Sequence, residues 1–360
     1  MRARATSVLV ALMLVPSVAT ADVGTPLVWG TAFHLLLGNL LVGALEGAIL
    51  ARLFSLKLRR CIGLLILANY VSSWVGVWAI GAVVRWLDPD LNNGLRAALG
   101  LIATTYVLTL VLEWPFVALC VRGSPGWLRR SVKGSLIAQT ASYVLIFAAY
   151  ALVSASSLYT RLSVVPREQL PLPGGVQVFY IGAQDGDVYR LVDLSAPTRV
   201  FEWHSVYDVY NRDSLRFDRE PNDSLAWDLV AVRAKRGQAG STVIAVAGVV
   251  RSPRDSIWNS GQSGGPVPAI GAALESPWHF RTSAWGSEGM WGRNRTTGET
   301  LRLAFGTPVL DWPIWMAIHL PGDRILFVLG RDQICLLDLP TRRVALLAKG
   351  RGMVALIARE

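Results

Sequence analysis

Long apolar runs dominate the first half of the chain and then give way to short alternating runs. Four of the long runs, at residues 28–54, 62–87, 97–121 and 135–153, can each cross a hydrocarbon layer of about 30 Å at about 1.5 Å per residue. Beyond residue 175, short segments alternate apolar and polar positions, as half-buried β-strands do. The pattern therefore predicts a membrane α-helical bundle of four transmembrane helices followed by an all-β domain.

The first 21 residues have the layout of a secretory signal peptide. Arg2 and Arg4 precede an apolar run at residues 8–15, and an Ala-Thr-Ala sequence at residues 19–21 resembles a cleavage site. An uncleaved anchor is the alternative, although the run is short for a span. We expect a signal peptide at 1–21, a transmembrane domain at 22–154, a linker at 155–175 and a β-domain at 176–360.

The predicted β-domain contains one sequence pattern twice. Residues 179–200 (FYIGAQDGDVYRLVDLSAPTRV) and 326–344 (LFVLGRDQICLLDLPTRRV) share the order strand, glycine, polar turn, strand, Asp-Leu, Pro-Thr-Arg and strand. The Asp185-Gly186 pair in the first copy is a hairpin signal, and weaker similarity occurs at 227–250 and 289–306. Such repeats are typical of propeller blades, so a propeller-like domain is expected. A β-sandwich is the alternative, because a domain of this length holds only about four blades.

The distribution of charge indicates the orientation of the chain in the membrane. The net charge is +10, but residues 1–154 hold 12 Lys/Arg against 5 Asp/Glu, and residues 155–360 hold 23 against 20. The excess lies in the apolar half, which argues against nucleic acid as a partner. Basic residues without acids occupy two of the connections between spans, at Arg52, Lys57, Arg59 and Arg60 and at Arg122, Arg129, Arg130 and Lys133.

The positive-inside rule places those two connections in the cytoplasm. The β-domain is then expected on the extracytoplasmic, periplasmic side of the cytoplasmic (inner) membrane. A hydrophobic fraction of 52% and a mean hydropathy of +0.40 agree with a multi-pass membrane protein.

Each predicted span carries polar residues along one helical face. Glu46 and Glu113 each lie eight residues before the cytoplasmic end of their span, and polar residues of the other two spans lie at the same depth, roughly 10–12 Å from the boundary. A charge at a helix centre that faces lipid costs roughly 2.5–3.5 kcal/mol. Both carboxyls should therefore face the bundle interior, where at least one is expected to be protonated, as a shared or neutral carboxyl pair. The predicted intramembrane polar site comprises Glu46, Glu113, Asn39, Asn69, Thr109, Gln139, Ser142 and Tyr143.

Two interpretations of this site remain open. The pair can bind a proton, a cation or a small ligand, or it can be a structural hydrogen-bonded pair in a seam that small residues such as Gly43 and Gly47 create. No metal is expected, because no histidine lies at that depth and no Glu-x-x-His pair occurs. No cofactor is expected either.

One short motif outside the spans resembles an enzyme signature. Residues 261–266 (GQSGGP) resemble the GDSGGP segment around the nucleophile of chymotrypsin-like serine proteases, which implies Ser263 as a nucleophile. However, Gln262 replaces the acidic residue, and His204 lies only 59 residues upstream, too close for the two-barrel spacing. A Gly-rich loop is the better interpretation, and the protein is not expected to be an enzyme.

The predicted function follows from a large β-domain without a complete catalytic set. We expect a polytopic membrane protein that presents its extracytoplasmic β-domain to a protein partner, as a complex subunit or assembly factor. The alternative is proton- or cation-coupled transport or sensing through the intramembrane Glu pair, and an envelope hydrolase is third. The expected partners are the lipid bilayer and a protein on the extracytoplasmic side, not nucleic acid.

Overall fold

The structure is a computed structural model that describes residues 34–153, 158, 161–193, 195–205, 213–221, 223, 225–233, 241–251, 253–259, 264–283, 289–305 and 312–358, with only the backbone described at 34, 35 and 149–153. The predicted signal peptide and Ser263 lie outside these residues. The chain divides into two compact units. The first contains the helices, and the second combines the segment Asp90–Gly94 with the chain from Ala155 onward.

Four helices form the first unit. They are α1 (Asn39–Phe54), which a π-helical turn at His34–Gly38 precedes, α2 (Leu58–Leu87), α3 (Gly94–Val121) and α4 (Trp127–Val153). Among the described residues, three helical segments are long and apolar enough to span a membrane, at Leu36–Phe54, Leu58–Leu87 and Gly94–Val121. Helix α4 begins before its apolar run, because Leu, Arg and Lys in its first turns favour helix.

Close backbone contact joins α1 to α2. A Cβ added at Gly43 would lie 2.5 Å from Ile66 Cα, and one added at Gly47 would lie 2.6 Å from Ile62 Cα. Glycines one turn apart therefore let the two helices approach more closely than any larger residue would allow. The pairing of Gly43 with Ile66 and of Gly47 with Ile62 also shows that the helices run antiparallel.

An apolar cluster joins all four helices at the end of the unit where α1 ends and α2 begins. We call it the Phe54-end cluster, and each of its members is at most 6% exposed. Its members are Leu50, Ala51, Cys61, Leu65, Ala68, Val117, Cys120 and Ala138. The thiols of this cluster are free.

The second unit is an all-β domain of antiparallel sheets. Its strands are β1 (Ser163–Val164), β2 (Val176–Gly182), β3 (Val188–Val192), β4 (Thr198–Phe201), β5 (Ser214–Arg219), β6 (Ala226–Arg233), β7 (Ser241–Arg251), β8 (Ile257–Trp258), β9 (Gly265–Pro266), β10 (Trp278–Thr282), β11 (Met290–Asn294), β12 (Thr300–Leu303), β13 (Ile314–Leu320), β14 (Arg324–Leu329), β15 (Gln333–Asp338) and β16 (Arg343–Ile357). The short β1 pairs in parallel with β16 and is the exception among the described strand pairs.

The long strand β16 connects the two ends of this unit. Its first half pairs with β15 and its second half pairs with β2, which gives the path β13-β14-β15-β16-β2-β3-β4. Further sheets have the orders β12-β11-β10-β9 and β5-β6-β7. Apolar side chains cover both faces of β2, since Val178 and Tyr180 belong to one core cluster and Phe179 and Ile181 to another. The β class predicted from the sequence is confirmed, whereas the propeller-like arrangement stays a prediction.

The two segments with similar sequence both form antiparallel meanders. One consists of β2, β3 and β4, and the other of β14, β15 and the first half of β16. The hairpin predicted at Asp185-Gly186 is confirmed between β2 and β3. Gly186 has φ of +73°, and a Cβ there would lie 2.1 Å from the carbonyl oxygen of Ser205, so only glycine fits this turn.

Part of the segment predicted as a linker belongs to the β-unit. Ser163 and Val164 form β1, a 3-10 turn follows at Arg167–Gln169, and Leu170 and Leu172 lie in the core. The segment Asp90–Gly94 also packs within this unit, where the Leu91 N–H donates to Gln333 Oε1 at 2.6 Å. Leucines of both segments are buried against the sheets. Their neighbours in the sequence are mostly polar residues and prolines.

Candidate intramembrane carboxyl site

The two acidic side chains of the predicted first and third spans meet inside the helical unit. Glu46 on α1 and Glu113 on α3 are both 0% exposed. Their carboxyl groups lie within hydrogen-bonding reach of each other, close enough for direct repulsion between two negative charges. Both side chains therefore face the bundle interior and not the surface of the unit.

The carboxyl group of Glu113 is held by side chains from two other helices. Ser72 Oγ on α2 donates to Glu113 Oε1 at 2.5 Å, and Gln139 Nε2 on α4 donates to Glu113 Oε2. Each oxygen of this carboxyl therefore has a donor. Because hydrogen bonds to a buried carboxyl are directional, these two contacts set the position of α3 relative to α2 and α4.

The carboxyl group of Glu46 is satisfied at one oxygen only. Asn69 Nδ2 on α2 donates to Glu46 Oε2 at 2.8 Å and also to the Leu65 carbonyl at 3.0 Å. Ser142 on α4 lies beside this carboxyl, and its hydroxyl donates to the Gln139 carbonyl at 3.0 Å. Among the described residues, Glu46 Oε1 is buried with no hydrogen-bonding partner. Leaving such an acceptor bare costs roughly 1–3 kcal/mol.

The remaining predicted site residues form a separate layer. Asn39 Oδ1 accepts from Ser73 Oγ at 2.9 Å, and the hydroxyls of Thr109 and Tyr143 lie 3.1 Å apart. The Tyr106 and Thr140 hydroxyls also lie 2.9 Å apart, and Thr140, which directly follows Gln139 on α4, is exposed. Apart from Thr140, these residues lie further from the Phe54 end of the unit than the carboxyls do. We call the three pairs the polar ladder: Asn39–Ser73, Thr109–Tyr143 and Tyr106–Thr140.

The sequence-predicted residues thus divide into two groups. The group at the carboxyls, which we call the carboxyl site, contains Glu46, Glu113, Asn69, Gln139 and Ser142 together with Ser72. Asn39, Thr109 and Tyr143 belong to the polar ladder instead. Sequence reasoning did not include Ser72 in the site. Its position three residues after Asn69, on the same helical face, is the signal that could have found it.

The carboxyl site has no cationic partner in the described part of the chain. Within the described part of the chain, neither Glu46 nor Glu113 forms an ion pair with a lysine, arginine or histidine. The described residues also contain no group of three or more His, Cys, Asp or Glu side chains that could hold a metal ion. The available chemistry is therefore that of two carboxyls and neutral hydrogen-bonding groups.

A cluster of charged side chains in the β-unit has a structural role. The buried carboxylate of Asp187 accepts the backbone N–H groups of Trp203 and His204, and Arg199 Nη1 lies 3.1 Å from it. Burial opposes the charge of Asp187, but the hydrogen bonds outweigh burial and lower the pKa of this carboxyl. Because these donors come from β4 and from the turn after it, this carboxylate anchors that turn to the β-unit.

Comparisons of the chain with models of protein families, with curated proteins and with solved structures gave no significant match. The chain therefore belongs, by its fold, to the proteins that combine apolar helices suited to a membrane with an antiparallel β-domain.

Proposed function

We propose that the helical unit binds a proton between Glu46 and Glu113, and that the protein acts in proton-coupled sensing or transport across a membrane. The observation that supports this proposal is the bare, buried Oε1 of Glu46 beside the carboxyl group of Glu113. A proton held between the two groups supplies the missing donor and removes the repulsion between two negative charges.

A proton fits this site better than a metal cation does. Hard cations such as Ca²⁺ take about six to eight oxygen ligands. Both oxygens of Glu113 and one oxygen of Glu46 already accept hydrogen bonds from Ser72, Gln139 and Asn69. Only one carboxyl oxygen is available, so a cation would have to displace three donors.

We propose that all four helices cross the membrane. Helix α4 has 27 residues, and its length of about 40 Å exceeds the hydrocarbon thickness. The basic connections after α1 and α3 favour the cytoplasm for the Phe54 end. The β-unit, which follows the fourth proposed span in the chain, is then extracytoplasmic.

Infrared difference spectroscopy tests proton binding directly. The full chain in lipid nanodiscs should show a protonated-carboxyl band that decreases as the pH is raised. Each of Glu46→Gln and Glu113→Gln should change the pH at which this band decreases, because each removes the second carboxyl of the pair, and the double variant Glu46→Gln/Glu113→Gln should abolish the band. Glu275→Gln is the matched control, since Glu275 is exposed on the β-unit and its replacement should leave the band intact. A band that persists in the double variant, or single variants that titrate like the unmodified protein, would contradict the proposal.

A second candidate function, binding of a protein partner, is favoured by strand β7. Among the described strand pairs, β7 pairs only with β6 and leaves its other edge open. Val243 and Ile244 on this strand are 42% and 55% exposed. Open edges accept extended segments of other chains by strand addition. We propose that the occupant is an extended segment of another extracytoplasmic protein, of which this chain is a subunit or assembly factor.

Photo-crosslinking in native membranes tests this second function. A photoreactive residue at position 244 should capture one extracytoplasmic protein, and the recovered complex should show slowed hydrogen exchange along β7. The control position is Leu274, which is equally exposed at 55% but lies in a 3-10 helix. Equal adducts at both positions, or unchanged exchange in β7, would argue against a docking edge.

A further inference from the structure

The Phe54 end of the helical unit carries basic side chains from two segments that contain no acidic residue, 52–60 and 122–133. We call them the basic cluster, and its members are Arg52, Lys57, Arg59, Arg60, Arg122, Arg129, Arg130 and Lys133. All of them are exposed except Arg130, which is half-buried. Among the residues that the structure describes, no member forms an ion pair. The cluster can therefore attract an anion.

Contacts between the helix ends bring the two basic segments together. The Arg130 guanidinium at the start of α4 lies over the ring of Phe54, 6.0 Å from its centroid. Arg60 Nη2 at the start of α2 donates to the Leu119 carbonyl near the end of α3 at 3.0 Å. A Cβ added at Gly134 would lie 2.9 Å from Phe54 Cε2, so α4 also packs tightly against α1 here. The positive charges are thus concentrated at one end of the unit, where they add to a single field.

A shallow apolar groove begins beside these charges. It runs along α4 from Leu136 to Ala148, and we call it the α4 groove. The exposed fractions of its large side chains range from 37% at Ile137 to 64% at Val144. Gln139 of the carboxyl site lies on the opposite face of α4. The α4 groove therefore lies on the outside of the bundle.

The dimensions of the α4 groove match one leaflet of a bilayer. Leu136 and Ala148 are separated by about 18 Å along the helix axis, at about 1.5 Å per residue. One leaflet contributes about 15 Å to a hydrocarbon core of about 30 Å. Lys133 lies one turn before Ile137 on the same face, and Arg129 lies one turn further out. The two cations therefore lie at the depth of a lipid phosphate when an acyl chain fills the groove.

From this arrangement we infer that the Phe54 end binds an anionic glycerophospholipid, with its phosphate at Arg129 and Lys133 and one acyl chain in the α4 groove. Each Lys or Arg near an anionic lipid surface strengthens the attraction by about fivefold. A zwitterionic lipid gains less, because the basic cluster repels its ammonium group. The lipid occupies the outside of the bundle, so its binding requires no proton at the carboxyl site.

Photolabelling in lipid nanodiscs tests this site. The full chain is placed in phosphatidylcholine nanodiscs that contain a small fraction of phosphatidylglycerol with a diazirine in one acyl chain, and peptide mass spectrometry locates the adducts. We expect adducts to concentrate in residues 136–148, and the same diazirine on phosphatidylcholine to label this segment about tenfold less. The face of α2 that exposes Trp74 and Trp78 is the comparison surface, which both lipids should label equally.

Charge variants test the role of the two cations. Arg129→Gln/Lys133→Gln should reduce phosphatidylglycerol labelling of the groove by about 25-fold, since two cations are lost. Arg129→Lys/Lys133→Arg keeps both charges and should retain the labelling. Arg85→Gln/Arg96→Gln removes two exposed charges from the Leu87 end and should leave it unchanged. Circular dichroism checks that each variant is folded.

The unmodified protein alone can also overturn the inference. Equal labelling of the α4 groove by both lipids, or phosphatidylglycerol adducts spread evenly over α2 and α4, would show that no anionic lipid is selected. Complete displacement of the label by inorganic phosphate at constant ionic strength would show that the cations bind a free anion without an acyl chain. A copurified protein that shields the groove from both lipids would show that another chain covers it.

Discussion

Gly43→Ala is expected to destabilise the helical unit, although alanine is the better helix former. The added Cβ would lie 2.5 Å from Ile66 Cα and 2.6 Å from Ile66 N, and backbone atoms cannot rotate out of the way. Overpacking of this kind costs roughly 1–3 kcal/mol. The separation of α1 from α2 should also lengthen the hydrogen bond between Asn69 and Glu46.

Gly63→Ala provides a matched control. Gly63 lies on α2 with nothing within 4 Å of an added Cβ, so the same substitution should be neutral or stabilise the helix by about 1 kcal/mol. Thermal unfolding of the full chain in detergent, followed by helical circular dichroism, distinguishes the two. A midpoint for Gly43→Ala equal to that of Gly63→Ala would show that the close approach of α1 and α2 does not determine stability.

Glu113→Ala is expected to be the most damaging substitution in the carboxyl site. It leaves the donor Gln139 Nε2 buried without its acceptor, at roughly 1–3 kcal/mol, whereas the Ser72 hydroxyl keeps the Asn69 carbonyl at 3.1 Å. It also leaves Glu46 as a lone buried carboxyl in the site. Glu113→Gln keeps an acceptor for one donor and should lose less.

The same thermal unfolding experiment compares the stabilities of these variants. We expect the midpoint to fall in the order unmodified protein, Glu113→Gln, Glu113→Ala. Glu275→Ala on the exposed surface should change the free energy of unfolding by no more than about 0.5 kcal/mol. If Glu113→Ala were as stable as Glu113→Gln, the donors would have found other partners, and the site would contribute little to the stability of the bundle.

The positions of the four helices could be predicted from the sequence alone. An apolar run of sufficient length has to be helical in a membrane, because lipid offers no partners for backbone polar groups. The inward direction of Glu46 and Glu113 was predictable for a related reason, since a carboxyl that faces lipid is costly. The close helix contact at Gly43 and Gly47 was predictable from their spacing, because residues four apart share one helical face.

The pairing of the polar side chains could not be predicted in this way. Helical spacing places Asn39, Thr109 and Tyr143 on inward faces, but the rotation and the register of each helix decide which side chains meet. The sequence grouped Asn39 with the carboxyls, whereas the structure pairs it with Ser73. Small shifts along a helix axis exchange one partner for another without any change in the hydrophobic pattern.

The sequence by itself determined where the chain is helical, where it is extended and which carboxyls must be buried, because these depend on local hydrophobicity and spacing. Only the tertiary structure decided that the last long strand, β16, pairs with β2, and that one oxygen of Glu46 has no donor among the residues that the structure describes. Such pairings join residues far apart in the chain. They result from the packing of whole elements, which no local pattern of residues encodes.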